Sequence, residues 1–174
     1  MGLQPGGELD EEQIQEIIDG IICRRARLRA MNLLKSRDYT EKVLKRKLKD
    51  SMYPDEAIDN AVNYVKSYGY IDDCRYAENY IRSNKNIRSR KEIRIKLLER
   101  GITPDVIEAA FEEEGDSGEE ETELIKKIIN KKLRSIDVSD PTARRRLIAQ
   151  MYAKGFSAEK TEQILDEVLL DITS

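Results

Sequence analysis

Residues 40–62 read TEKVLKRKLKDSMYPDEAIDNAV, and the pattern returns at 89–111 (SRKEIRIKLLERGITPDVIEAAF) and at 143–165 (ARRRLIAQMYAKGFSAEKTEQIL). In the first copy Leu44, Leu48, Met52, Ile58 and Val62 stand at steps of four, four, six and four. Ile93, Leu97, Gly101, Ile107 and Phe111 keep those steps, as do Leu147, Met151, Gly155, Thr161 and Leu165. Steps of four place side chains on one helical face. Each copy is basic in its first half and acidic in its second, so charge repeats with the apolar pattern. A repeat of about 50 residues with several helical stretches per copy describes an array of small helical units. Such units bury their apolar stripes only by stacking on neighbours. The expected fold class is all-α: an elongated, curved array of three tandem three-helix repeats, nine helices, suited to binding along something long.

Outward from these copies, the chain divides by helix signals. Residues 1–22 form an acidic lead-in that continues into the first helix, and the segment from Glu8 to Lys35 reads as one long helix. Ile14, Ile17, Ile18, Ile21, Leu28, Met31 and Leu34 mark its apolar side at three- or four-residue steps. Gly20 weakens its middle by about 1 kcal/mol relative to alanine. Repeat one covers 23–71, with Thr40 capping its second helix, Pro54 in the first turn of its third and Gly69 at the stop. Repeat two covers 72–114, where Ser89 and Glu92 form a capping box and Thr103–Pro104 opens a helix. An acidic linker with Gly115, Ser117 and Gly118 spans 115–123. Repeat three covers 124–174: Asp140–Pro141 opens its second helix, with Leu147, Ile148 and Met151 inward, and Ser157 caps its last. No segment reads as a strand.

Composition narrows the function. Charged residues make up 37% of the 174 and aromatics 6%, which suits thin helical layers with solvated faces rather than one large core. No apolar run approaches the length of a membrane-spanning helix, so no membrane partner is expected. The first seven residues lack the basic flank and apolar stretch of a secretion signal. Only Cys23 and Cys74 occur, so a reducing cytoplasm is the expected location and a disulfide scaffold is not.

The net charge of −3 conceals strong local asymmetry. Residues 23–53 hold 11 basic and 3 acidic side chains, 74–104 hold 9 and 3, and 124–154 hold 9 and 2. Screening acts over roughly 8 Å at physiological ionic strength, so a basic face can attract phosphate although the whole chain is an anion. The same charges also admit a plainer reading, in which opposite signs pair neighbouring helices. The basic blocks could equally meet an acidic protein groove. Tyr64, Tyr68, Tyr76 and Tyr80 stand at core-like spacings and read as packing residues rather than base-stacking ones.

Catalytic chemistry finds little to work with. The chain has no histidine, no phosphate loop and no clustered metal ligands, so no cofactor or metal is expected. Asp72 and Asp73 are adjacent and point in different directions, so they do not form a shared-proton pair; an aspartate capping the next helix is the simpler role. Cys74 beside Arg75 reads as a partly buried structural thiol. The expectation is a non-enzyme.

The run Gly69-Tyr70-Ile71-Asp72-Asp73-Cys74-Arg75-Tyr76-Ala77 resembles the signature of the RecX family of bacterial recombinase regulators, a Gly-Tyr-Leu-Asp-Asp run followed by Arg-Tyr/Phe-Ala. Ala30 to Leu48, Lys96 to Ile102, and Pro141 to Phe156 are similar to further family stretches, so the resemblance spans roughly Arg27 to the end. The chain departs from the family at Met52, where glycine is common, and at Lys85-Asn86-Ile87-Arg88, where family members often carry glycines. The resemblance implies tandem three-helix repeats, no catalysis, and binding to a RecA-type recombinase filament; a monomer is the expected state. It implies limiting or disassembling that filament, hence restraint of ATPase and strand exchange in DNA repair and the SOS response. It also implies DNA binding, single- or double-stranded, in some members. Its signature residues here, Gly69, Tyr70, Asp72, Asp73, Arg75 and Tyr76, take a structural role.

With that resemblance, the faces of the first two helices of each repeat are the expected contact surface. The residues expected to contribute are Arg24, Arg27, Lys45, Lys49, Arg90, Arg94, Arg144 and Arg145. The alternative is a stand-alone helical DNA-binding module acting without a recombinase.

Overall fold

The computed structural model describes residues 10–115, 118–136 and 140–173. Glu8, the expected start of the lead helix, lies outside the described residues, as do positions 116 and 117 of the expected linker. Helix α1 (Glu11–Ile17) passes through a π-helical segment (Ile18–Ile22) into α2 (Cys23–Leu34). Then come α3 (Glu41–Asp50), α4 (Asp55–Ser67), α5 (Asp73–Asn84), α6 (Arg90–Glu99) and α7 (Pro104–Glu113). The last three are α8 (Glu119–Leu133), α9 (Pro141–Ala153) and α10 (Ala158–Thr173). No strand occurs among the described residues, and α2–α10 are the nine helices of an all-α tandem-repeat fold. The chain forms two compact units, Met1–Tyr76 and Ala77–Ser174, with the division inside α5.

In the first unit α2, α3 and α4 close around one core. Ala26, Ala30, Ala57 and Ala61 are all fully buried, and side chains this small let α2 and α4 approach closely. Leu44, Leu48, Val62 and Val65 fill the remaining space. The expected apolar face of the lead helix is corrected here. Ile14, Ile21 and Leu28 are 43%, 56% and 49% exposed, and the buried face is Cys23, Ala26 and Ala30. The reason is twofold: the π-helical turns break the 3.6-residue phase on which the expected face depended, and α4 selects the alanine side. Tyr68, expected in the core, is exposed and lies in ring contact with Tyr64 and Tyr70. Cys74 is exposed and Cys23 buried, with no disulfide between them; Cys74 stands on the helical face of Ala77 and Ile81 but in the first turn of α5, so the expected partial burial does not hold.

In the second unit, Ile81, Ile93, Leu97, Ile107 and Phe111 are buried across α5, α6 and α7. Ile125, Ile129, Leu147, Met151 and Leu165 form the core of α8, α9 and α10. The acidic stretch expected as linker is shorter than its composition implies. Helix α8 already begins at Glu119, and Glu119, Glu120 and Glu121 lie in its first turn, where carboxylates offset the partial positive charge of a helix start. Ile148, expected to face the core, is only half-buried, one residue beyond the fully covered Leu147.

The second helix of every repeat ends in the same way. Met52 and Tyr53 donate backbone N–H groups to Lys49 and Leu48, Gly101 and Ile102 to Leu98 and Leu97, and Gly155 and Phe156 to Tyr152 and Met151. This paired closure needs a left-handed residue at the first position, and φ there is 63° at Met52, 89° at Gly101 and 92° at Gly155. Met52 is the one non-glycine with positive φ among the described residues. At Gly155 a Cβ would sit 2.6 Å from Ser89 Oγ and 3.1 Å from Lys91 Cβ. Ser89 Oγ accepts from the Glu92 N–H at 3.1 Å, as the capping box requires, and donates to the Lys154 carbonyl at 2.7 Å. The Glu92 carboxylate pairs with Arg88. One buried hydroxyl thereby ties the start of α6 to the end of α9.

The signature run joins the repeats by a second set of caps. Gly69, in the left-handed conformation, stops α4, with Tyr70 N–H closing on the Val65 carbonyl at 2.9 Å. Ile71 inserts into the core at 5% exposure. Asp72 Oδ1 accepts from the Arg75 N–H at 3.0 Å and caps α5, and Arg75 Nη2 donates to the Gly69 carbonyl at 2.9 Å. Asp73 reaches a different helix: its Oδ1 accepts from the Glu41 N–H at 2.9 Å, beside Thr40, whose Oγ1 accepts from Val43. The adjacent aspartates thus satisfy orphan donors of two different helices. Burial raises the Asp73 pKa above its ordinary value. Glu41 moves the opposite way: the hydrogen bond from Lys66, at 2.8 Å, and that from Lys45 hold its carboxyl below the ordinary 4.5.

Three outcomes follow from this geometry. Met52→Gly stabilises the protein: removing left-handed strain gains about 1–2 kcal/mol, the added chain entropy of glycine costs about 0.5–1 kcal/mol, and the Met52 side chain, 89% exposed, has little packing to lose. Urea unfolding should show a net gain of about 0.5–1 kcal/mol. Gly155→Ala should lose about 2 kcal/mol or more in the same measurement, since strain and collision add. Because the Glu41 pKa is depressed on folding, its contribution is present above pH 4.5 and disappears as pH falls through the folded value. The stability difference between wild type and Glu41→Gln should therefore be largest near neutral pH and close toward zero in acid.

Candidate interaction surface

Burial of two residues on each second helix dictates what its other residues can touch. With Leu44 and Leu48 inward on α3, a turn of 100° per residue puts Glu41 and Lys45 on the flank beside α4 and Lys42, Arg46 and Lys49 on the far side. In α6, Ile93 and Leu97 leave Arg90 and Arg94 on the flank and Lys91, Ile95 and Leu98 outward. In α9, Leu147 and Met151 leave Arg144 on the flank and Arg145, Ala149 and Tyr152 outward.

The flanking cations meet the last helix of their own repeat. Lys45 Nζ lies 3.0 Å from Asp59 and 3.3 Å from Glu41, and these bonds raise its pKa. Arg90 is 3.3 Å from Glu108, Arg94 pairs with the same carboxylate, and the Arg90 guanidinium also covers the Phe111 ring at 4.4 Å. Arg144 lies 2.7 Å from Asp166 and 3.3 Å from Glu162, Asp166 being the main cause of its raised pKa. Asp59, Glu108 and Glu162 are equivalent positions in the three copies. One acid per repeat therefore receives a cation across the same helix pair.

Of the eight residues expected to contact a partner, five are thus ion-paired within their repeats: Lys45, Arg90, Arg94 and Arg144 on the flanks, and Lys49 with Asp55 at 3.1 Å. Arg27 is half-buried, donates from Nε to Asn60 at 2.7 Å and lies over the Tyr64 ring at 5.1 Å. Arg24 and Arg145 are exposed. Arg24 and Arg27 line a shallow cleft with Gly20, Leu28 and Met31. The expected set thus combines inward-flank and outward cations.

Exposed cations that the expectation left out include Arg25 and Arg29 on α2, Lys42, Arg46 and Lys47 on α3, Lys91 on α6, Lys127 and Lys131 on α8, and Arg146 on α9. The signal for Lys42 and Arg46 was present in the spacing: they stand two residues from Leu44, about 160–200° round the helix. The outward faces also differ between copies. That of α3 carries Lys42, Arg46 and Lys49 beside Asp50, whereas α6 and α9 carry Ile95, Leu98 and Tyr152 there, 44%, 40% and 62% exposed. No group of three or more acidic, Cys or His residues suited to a metal ion occurs among the described residues. None of the described helices is long and apolar enough to cross a membrane.

Comparison with known proteins places this arrangement. Residues 26–64, 72–110 and 119–165 match the profiles described as the first, second and third three-helix domains of RecX. The chain is 32% identical over 167 residues to "Regulatory protein RecX" of Caldanaerobacter subterraneus subsp. tengcongensis, covering 95% of this chain and 82% of that one. It is 25% identical over 170 residues to the protein of the same name from Clostridium acetobutylicum, covering 96% and 79%. A crystal structure titled "Crystal structure of regulatory protein RecX" superposes with a TM-score of 0.78 at 28% identity, over 94% of this chain and 83% of that one. Three domain matches in tandem over most of the residues, joined by the cap network described above, establish that the chain belongs to the RecX family of regulatory proteins.

Proposed function

We propose that this protein binds the filament of a RecA-type recombinase on DNA and restrains its ATPase and strand exchange, acting as a non-catalytic monomer in the cytoplasm. The observation that carries this reading is the full set of three family domains, whose relatives are named regulatory proteins. The repeats themselves are taken as 23–71, 72–114 and a third beginning with α8.

The electrostatics support such a role. Solvent-exposed ion pairs contribute about 0–1 kcal/mol each, so a partner's carboxylate or phosphate can replace Asp59 or Glu108 at Lys45 or Arg94 for little free energy. The outward cations Lys42 and Arg46 need no exchange at all. Modest contacts from successive repeats to successive protomers add through effective concentration. Regulation without chemistry then needs only that the bound filament differ in stability from the free one.

Sedimentation of recombinase filaments with this protein, with and without DNA, tests the reading directly. Lys42→Glu with Arg46→Glu should weaken co-sedimentation and ATPase inhibition at least about tenfold while leaving thermal unfolding unchanged. Inhibition unaltered by that pair and by Arg145→Glu would remove the mechanism. The local excess of cations favours one second reading, a DNA-binding module independent of recombinase. It requires log Kd to rise with log salt by about 0.7 per single-strand phosphate neutralised, and a shallow dependence would exclude it.

A further inference from the structure

The second unit holds an open cleft of about 440 Å³ between the start of α6 and the end of α9. Ile87, Ile95 and Tyr152 line it at 64%, 44% and 62% exposure, and Arg88, Lys91 and Lys154 stand round it. We infer that this cleft is a docking site for an acidic peptide segment of a protein partner, one that inserts a large aliphatic side chain among Ile87, Ile95 and Tyr152.

The repeat itself supplies the comparison. Ile95 occupies the position of Arg46, and Tyr152 that of Lys49, and both of those cations are exposed on α3. Where repeat one presents charge to water, the same helical positions in α6 and α9 present large apolar groups round a single cleft. Exposed apolar side chains scattered singly are ordinary, but three converging on one concavity mark a binding surface. The rim specifies the charge of the occupant. Lys91 and Lys154 are exposed, Arg88 is joined to Glu92, and these three cations outnumber that one carboxylate. An apolar floor with a cationic rim matches a ligand of aliphatic side chains flanked by carboxylates.

Nucleic acid fits less well. Bases bind single-strand surfaces by stacking on aromatic faces, and here two of the three exposed apolar groups are isoleucine, with Tyr152 the one exposed ring and the Lys91 ammonium 5.7 Å from its centroid. The cleft is also built in advance. The 2.7 Å bond from Ser89 to the Lys154 carbonyl and the close approach of Gly155 hold its two walls together, so binding costs little ordering of the protein. None of these residues belongs to the cationic set invoked for the filament, and the cleft's chemistry stands without that reading.

The test uses the full chain with isotope-labelled isoleucine methyl groups, observed by NMR. The probes are a synthetic capped peptide of sequence EDLEELFEDL, its basic counterpart with lysine for every acid, and an oligothymidylate of about 12 nucleotides. The acidic peptide should produce saturable shifts at the methyls of Ile87 and Ile95, with the basic peptide producing none. Its affinity should fall at least about tenfold in Lys91→Glu/Lys154→Glu, a surface change that spares the core, and likewise in Tyr152→Ala. No saturating shift at these methyls up to about 1 mM peptide would overturn the proposal. So would equal affinity in the variants, or larger shifts at the same methyls with oligothymidylate, which would make the cleft a nucleic-acid surface.

Discussion

Two apolar side chains, four residues apart on a helix of 10 to 13 residues, hold each repeat together. Leu44 with Leu48, Ile93 with Leu97, and Leu147 with Met151 are each no more than 1% exposed. A helix this short is marginal alone, so its stability comes from burying that stripe against neighbours. Fixing the stripe fixes the rotation of the helix about its axis. Every other position is then assigned by geometry to a flank that faces the repeat's last helix or to a side that faces water.

The electrostatics follow from that assignment. The flank cations Lys45, Arg94 and Arg144 of the second helices meet Asp59, Glu108 and Glu162, so part of each basic block is paired within its own repeat. These pairs are solvated and weak, so they orient helices more than they stabilise them. The caps matter more for joining repeats. Asp73 satisfies a backbone donor of α3, and Ser89 satisfies one of α6 while holding the end of α9. Repeats are thus connected through helix termini, where four backbone groups at each end lack intrahelical partners.

Period, helix number and most caps were legible in the sequence because they rest on local chemistry. Thr40, Ser89, Asp72 and Asp140 each accept the backbone N–H expected of a cap. Ser157 likewise accepts from Lys160 at 3.3 Å. What escaped was set by distance along the chain or by phase. The bond from Ser89 to Lys154 joins residues 65 apart, and no local pattern encodes it. The lead helix changed face because its π-helical turns broke the periodicity used to read it. The acids at 119–121 looked like a linker by composition, though acids in that position also open a helix. The expected contact residues were chosen by charge alone, and charge does not distinguish a flank from an outward face. Adding the angle from Leu44 or Ile93 would have separated Lys45 from Lys42 and Arg94 from Lys91.

The outward face is the part of each repeat that folding leaves free, and it is there that the copies diverge. Lys42, Arg46 and Lys49 become Lys91, Ile95 and Leu98 in the second copy, and Arg145, Ala149 and Tyr152 in the third. The first position keeps its cation while the other two turn from charged to apolar or small. The fold does not demand that change, since α3 holds the same backbone and the same left-handed closure with charges there. Nor does solubility favour it, because exposed isoleucine, leucine and tyrosine cost water contact that lysine would retain. A repeat protein whose units had one common ligand chemistry would be expected to repeat its outer face as faithfully as its core. This one repeats the core and varies the face, so its three units present unlike surfaces to solvent. In an array built this way, discrimination between partners would reside in the combination of faces rather than in the strength of any single cation.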